Sequence, residues 1–278
     1  MTAFAYYRLP YLHHAHYVAQ REGEPEVLSS VAELNGKEGF VIAPFSPSSD
    51  CPVLLIHPDE SKLLPISDAK AISTSDSTLG EDASDRDAYA GAFECFHQEL
   101  EKGTFRKIVL ARKATVRTAD KDFENLFMKA CRMYPRLFVS LVYTPLSGMW
   151  LMATPEILLK GEQGNMSTMS LAGTQKAEPS RTVADYPVEG VEWSHKNQEE
   201  QQYVTDYIED CIKAFADDYQ LKGPYTTMAA NLYHLRTDIS FRLRDEGRLG
   251  DVIDALYPTP AVCGIPKEEA RRFILQHE

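Results

Sequence analysis

Lys107 is the first side chain whose surroundings suggest chemistry. In Phe105-Arg106-Lys107-Ile108-Val109-Leu110-Ala111-Arg112, a period of two puts it on one face with Phe105, Val109 and Ala111. A lysine on an apolar face loses hydration, which disfavours its charged form and suits a general base. The same spacing fits a strand-edge lysine whose amine snorkels to water, and sequence alone leaves both open. Glu156 follows the interruption Thr154-Pro155 and restarts a strand with Ile157, Leu158 and Leu159. A carboxyl in that setting favours its neutral form and can act as a general acid, whereas a turn carboxylate facing solvent fits the same residues. Glu200 lies three and four residues before Tyr203 and Val204, at the head of an apolar stripe that continues through Tyr207, Ile208 and Cys211. It reads either as a first-turn acid favoured by the helix dipole or as a ligand for a hard cation. Magnesium is such a cation, taking one or two carboxylates together with substrate oxygens and water.

Three further segments carry backbone signals. Leu171-Ala172-Gly173-Thr174 offers a glycine where the chain could approach a ligand closely. Leu232-Tyr233-His234-Leu235 sets one histidine among apolar neighbours, a pattern more often met in a satisfied core histidine than in a catalyst. Pro258-Thr259-Pro260-Ala261-Val262-Cys263-Gly264 is too stiff and turn-rich for regular structure and reads as a fixed loop. His13-His14-Ala15-His16 has no carboxylate or thiol nearby in sequence to complete a metal site.

The elements that must position these residues alternate short strands with a few long helices. Gly39–Phe45 and Cys51–His57 read as strands, followed by a polar surface loop around Ser73–Thr78. Arg86–Glu101 has helical spacing, with Tyr89, Phe93, Phe96 and Leu100 on one stripe and Gly103 as a C-cap. Phe105–Arg112 turns to strand-like alternation. Asp122–Met133 is helical again and stops at Pro135; Arg136–Tyr143, Gly148–Ala153 and Glu156–Lys160 then read as consecutive antiparallel strands. A long helix over Lys196–Tyr219 and a last one over Lys267–His277 complete the set. Runs of strands separated by long helices give an α+β class. The chain divides in this reading into an N-terminal part, 1–84, which ends in the Ser-rich loop, and a larger part, 85–278.

Composition narrows the class of function. The 278 residues include 41 acids and 29 bases, a net charge of −12 that opposes nucleic-acid or anionic-membrane binding through bulk charge. A small anionic substrate stays open, since a few local cations outweigh a distant net charge. Five cysteines are scattered singly, which fits reduced thiols better than a disulfide framework. Neither a secretory signal nor an apolar run of bilayer length is visible. These features lead us to expect a cytoplasmic, monomeric enzyme without nucleic-acid or membrane partners.

From about Gly103 onward the chain resembles the chorismate-binding domain shared by isochorismate, salicylate, anthranilate and aminodeoxychorismate synthases. The residues that carry this are Lys107-Ile108-Val109-Leu110-Ala111-Arg112, Ala153-Thr154-Pro155-Glu156, Leu171-Ala172-Gly173-Thr174, Lys196 with Glu200-Gln201, His234 and Pro258-Thr259-Pro260-Ala261. The resemblance implies an isochorismate synthase, because Lys107 and Ala261 match members that add water to chorismate rather than those that aminate it. Salicylate synthase, which adds the same water and then eliminates pyruvate, is the neighbouring alternative. The resemblance implies that Lys107 deprotonates the water attacking C2 and that Glu156 protonates the departing C4 hydroxyl. It implies that Glu200 helps to hold Mg²⁺, and that Gly173, Thr174, His234, Ala261 and Val262 line the ring pocket. Complete relatives continue past the helix matching Lys267–His277, with a glycine-rich turn, a second magnesium carboxylate and basic residues for the substrate carboxylates. The sequence ends at Glu278, so the expectation is a truncated form with little or no activity, or a non-catalytic scaffold.

Overall fold

A computed structural model of the chain describes residues 2–66, 83–112, 122–177, 187–229 and 231–278. In chain order they form β1 (Ala3–Arg8), β2 (His14–Gln20), β3 (Glu26–Leu28), β4 (Phe40–Ile42), β5 (Val53–Ile56), β6 (Glu60–Pro65), α1 (Ala83–Glu101) and β7 (Lys107–Ile108). There follow α2 (Phe123–Met133), β8 (Phe138–Thr144), β9 (Gly148–Thr154), β10 (Lys160–Glu162), β11 (Asn165–Lys176) and α3 (His195–Lys213). The rest is β12 (Tyr219–Ala229), β13 (Leu232–Arg242), α4 (Leu249–Leu256), β14 (Gly264–Ile265) and α5 (Lys267–His277). Two compact units result: Met1–Ala69 with Phe123–Tyr257, and Lys70–Asp122 with Pro258–Glu278. They cut across a division at residue 84, because β1 is paired antiparallel with β8, Tyr6 opposite Leu141. The segment Ser73–Thr78 lies outside the described residues.

The first unit holds three sheets, ordered β6-β2-β1-β8-β9, β10-β11-β13-β12 and β3-β5-β4. Every pairing is antiparallel and helices flank the sheets, so the class is α+β. Helix α2 forms where the sequence places it, and its Phe127, Met128 and Cys131 bury against Val139 and Leu141 of β8. Arg8 ends β1 almost fully buried, at 1% exposure, and donates to the carbonyls of Pro135, Tyr134 (2.5 Å) and Cys131 (3.4 Å). A guanidinium there complements the negative end of α2 and satisfies carbonyls that the helix itself leaves open.

Several expected boundaries move, each for a local reason. The strands expected over Gly39–Phe45 and Cys51–His57 shrink to β4 and β5, since Pro44 and Pro52 lack the N–H a ladder needs. The strand expected over Glu156–Lys160 is a turn, and strand structure resumes only at Lys160. Pro155 cannot donate, and the Glu156 N–H is taken by Thr154 Oγ1 at 3.2 Å. The helix expected over Lys196–Tyr219 ends at Lys213, and Tyr219 begins β12. Its open C-terminal carbonyls are bound by Arg244, which reaches Lys213 (3.1 Å), Ala214 (3.0 Å) and Ala216 (2.9 Å). The long strands β11, β12 and β13 were not expected at all. β11 buries Thr168 and Ser170 beside Met169 and Leu171, so polar residues on an inward face hide its alternation.

The second unit packs α1, α5 and the two-stranded β14-β7 ladder around Phe273, whose ring lies 5.1 Å from Phe96 and 5.3 Å from Phe105. Gly103 does end α1, at φ 73°, with its N–H bonded to Leu100 and that of Thr104 to Glu99, the paired bonds of a Schellman cap. The strand expected over Phe105–Arg112 is reduced to Lys107–Ile108, because its partner β14 is itself only two residues long.

Candidate active site

The corner between β11 and β13 in the first unit brings three of the expected residues together. Residues 168, 170 and 172 of β11 share the face covered by α3, where Ser170 stands opposite Thr237 and Ala172 opposite Leu235. Strict alternation would put Thr174 on that face as well. The pairing slips by one residue between Ala172 and Thr174, and Gly173, at φ 62°, is the extra residue of the bulge. A Cβ on Gly173 would stand 2.9 Å from the Asn197 carbonyl oxygen and 3.3 Å from the Asn197 Cβ. The first turn of α3 therefore rests on bare glycine backbone. Beyond the bulge Thr174 faces away from α3, opposite His234, with Thr174 Oγ1 and His234 Nδ1 3.1 Å apart. Burial holds the His234 imidazole below its ordinary pKa, opposed by a hydrogen bond with the Gly173 backbone. A neutral imidazole keeps one ring nitrogen as an acceptor and one as a donor.

Helix α3 starts at Ser194, whose hydroxyl accepts the Asn197 N–H. That start places Glu200 in the second turn, not the first as expected. The buried stripe of the helix is Gln201, Val204, Thr205, Ile208 and Ile212, and Glu200 flanks it half-buried, one residue before Gln201. Burying Val204, Ile208 and Ile212, all at 0% exposure, contributes about 1.5–3 kcal/mol each and holds α3 on the sheet. Gln201 heads this stripe, though the sequence marks it only as part of the Glu200-Gln201 pair. An amide lying among apolar residues, with Thr205 one turn on, was the available signal. Glu156 is half-buried in its turn between β9 and β10.

The second unit carries the other candidates. Lys107 is half-buried on β7 opposite Ile265, next to the buried Phe105. Ala261 and Val262 sit in the turn after Pro260, closed by the N–H groups of Val262 and Cys263 on the Thr259 carbonyl, both at 3.1 Å. No regular structure forms over residues 258–263, and Val262 is exposed.

Among the described residues no group of three or more His, Cys, Asp or Glu side chains is placed to hold a metal ion. A magnesium ion that keeps waters and takes substrate oxygens needs only one or two protein carboxylates, and Glu200 is a half-buried carboxylate on α3. A cavity of about 410 Å³ in the first unit, lined by Tyr7, Phe40 and His57 among others, contains none of the expected residues. A smaller one, about 180 Å³, is lined by Ile157, Lys160, Arg236 and Asp238, next to Glu156 in sequence and on the His234 side of β13. No described helix is long and apolar enough to cross a membrane.

The sequence profile of the family described as chorismate binding enzyme matches residues 55–278. The chain belongs to that family. The salicylate biosynthesis isochorismate synthase of Pseudomonas aeruginosa is 29% identical over 199 residues, 64% of this chain and 38% of that protein. The isochorismate synthase MenF of Escherichia coli is 28% identical over 198 residues, 70% of this chain and 45% of that protein. The chain thus matches less than half the length of either relative. Its fold is that of the menaquinone-specific isochorismate synthase MenF from Escherichia coli, with a TM-score of 0.73 at 20% identity over 99% of this chain and 73% of the other. Anthranilate synthase component I from Streptococcus pneumoniae shares it with a TM-score of 0.61 at 17% identity, over 98% and 66%.

Proposed function

We propose that this chain carries isochorismate synthase chemistry: water adds at C2 of chorismate and the C4 hydroxyl leaves. The reading rests on the Gly173 bulge, which sets Thr174 against His234 at one corner of a chorismate-binding fold. The isochorismate synthase names of the relatives favour water over ammonia as the nucleophile. Lys107 takes a proton from the attacking water, and Glu156 gives its proton to the departing hydroxyl, so one water enters and one leaves. Thr174 and neutral His234 offer hydrogen bonds to the substrate beside the Gly173 backbone. Glu200 is the carboxylate that would hold Mg²⁺ beside the substrate. When bound, that cation neutralises substrate carboxylate charge. The product would serve menaquinone or siderophore synthesis in the cytoplasm.

Incubation with chorismate and Mg²⁺, followed by chromatography, tests the reading. Where the chain turns over, isochorismate should be the product, and Lys107→Ala and Glu156→Gln should each lower the rate by about 10²–10⁴-fold. Salicylate with pyruvate as the product, or a requirement for ammonia, would refute the assignment. No product and no calorimetric heat with chorismate would leave a non-catalytic scaffold instead.

A further inference from the structure

We infer that the cavity of about 180 Å³ beside the Glu156 turn is a binding site for a carboxylate, with Lys160 and Arg236 as its cations. Its floor is one face of β10, β11 and β13. Alternation turns Ser167 and Met169 of β11, and Arg236, Asp238 and Ser240 of β13, away from α3. Ser167 stands directly opposite Ser240 on one side and Lys160 on the other, so the three form a row across the sheet. One wall is the turn after β9. Ile157 lines the cavity, and Thr168 Oγ1 donates to the Leu158 carbonyl at 2.6 Å, which ties that turn to β11. Glu156 is thereby held one residue from the cavity wall.

Charge decides what the cavity takes. Asp238 is the one acid among the described residues that line it, and both of its oxygens are engaged. Oδ1 accepts from Arg236 Nε at 2.8 Å and Nη2 at 2.5 Å, and Oδ2 accepts the Tyr225 hydroxyl. This clamp orients a half-buried guanidinium, a planar group with five N–H donors. Lys160 is exposed at the rim and has no ion-pair or hydrogen-bond partner among the described residues. In a chain with 41 acids and 29 bases, a lysine left without an acid beside a cavity runs against the overall charge. The Ser167 and Ser240 hydroxyls also have no partner among the described residues. Two cations against one acid leave a single net positive charge beside two hydroxyl donors. A carboxylate neutralises that charge and accepts from these groups, whereas an amine would add to it and a phosphate dianion would exceed it. Arg236 lies two residues beyond His234 on the same face of β13, about 7 Å along the strand, a span that one substituted six-membered ring covers. Chorismate meeting Thr174 and His234 would thus place one of its carboxylates in this cavity, on the side of Glu156.

The link to chorismate rests on the proposed function, so two probes are used. Benzoate supplies a ring carboxylate alone; chorismate is added with Mg²⁺. Each is titrated into the protein while NMR follows Arg236 Nε and the Ser167 and Ser240 amides, and both should shift these three signals. Arg236→Met should weaken each probe at least about tenfold, and Lys160→Met, at an exposed position, about threefold. Lys213→Met removes the same charge from a lysine that pairs with Glu209 and Asp210 outside the cavity, so it should alter neither affinity. Lys160 is exposed, so its variant decides the case if Arg236→Met does not fold. Signals unmoved by both probes, or a Lys160→Met affinity equal to that of Lys213→Met, would overturn the site. Tighter binding of inorganic phosphate than of benzoate would overturn the carboxylate as its ligand. If benzoate binds there and chorismate binds nowhere, the site stands and the isochorismate synthase reading falls. If chorismate binds without moving these signals, that reading stands and its link to this cavity falls.

Discussion

Replacing Gly173 by alanine tests how far the site depends on close backbone packing. Two effects oppose one another there. The methyl group restricts the unfolded chain, a gain of about 0.4–1 kcal/mol, while a φ of 62° costs an L-residue about 1–2 kcal/mol. The new Cβ also meets the Asn197 carbonyl oxygen at 2.9 Å, so the first turn of α3 must move, and overpacking of this kind costs about 1–3 kcal/mol. The expected loss is about 3 kcal/mol. Gly148 supplies the control within the same unit, since its φ is 71° but nothing lies within 4 Å of its would-be Cβ. Gly148→Ala should therefore cost only the net backbone term, about 1 kcal/mol. Urea unfolding of the two variants isolates the contact with α3. Equal losses, within about 0.5 kcal/mol, would show that packing of α3 on the bulge contributes nothing and would refute the argument.

Other consequences follow from single groups. Arg8→Met takes the buried guanidinium away from the Tyr134 carbonyl, while the Pro135 carbonyl keeps the Tyr11 N–H, and should destabilise the protein by about 1–3 kcal/mol; a chemical melt with a smaller loss would show that water replaces the guanidinium. His234 is held below its ordinary pKa in the folded state, so the unfolded chain binds the proton more readily. Its contribution to stability is complete above a pH of about 6.5 and is lost as the pH falls through the lower, folded value. Unfolding midpoints at neutral and mildly acidic pH should diverge less in His234→Asn than in the wild type, and equal divergence would remove burial of the ring as the cause.

Candidates for chemistry could be named because they depend on residue type in a short local pattern. Lys107 next to Phe105, Glu156 after Pro155 and the proline-stiffened turn at Ala261-Val262 could be singled out without any long-range information. Helices α2 and α5 were legible for the same reason, since their apolar spacing and stop signals lie within their own residues. What failed had non-local causes. The helix over Lys196–Tyr219 was read too long because the group that binds its last carbonyls, Arg244, lies about thirty residues further on. Glu156–Lys160 was read as a strand because apolar content alone does not report that Thr154 takes the Glu156 N–H.

The sequence by itself determined that this is an α+β chain of the chorismate-binding family and which side chains are available for its chemistry. It also determined that a glycine stands at 173, the one residue that tolerates both a positive φ and a helix resting on it. Only the tertiary structure decided which way Thr174 faces. Period-two alternation assigns it to the α3 side with Ser170 and Ala172, and one extra residue in the ladder reverses that assignment. The pairing of strands, and not any local pattern, brings Thr174 to His234.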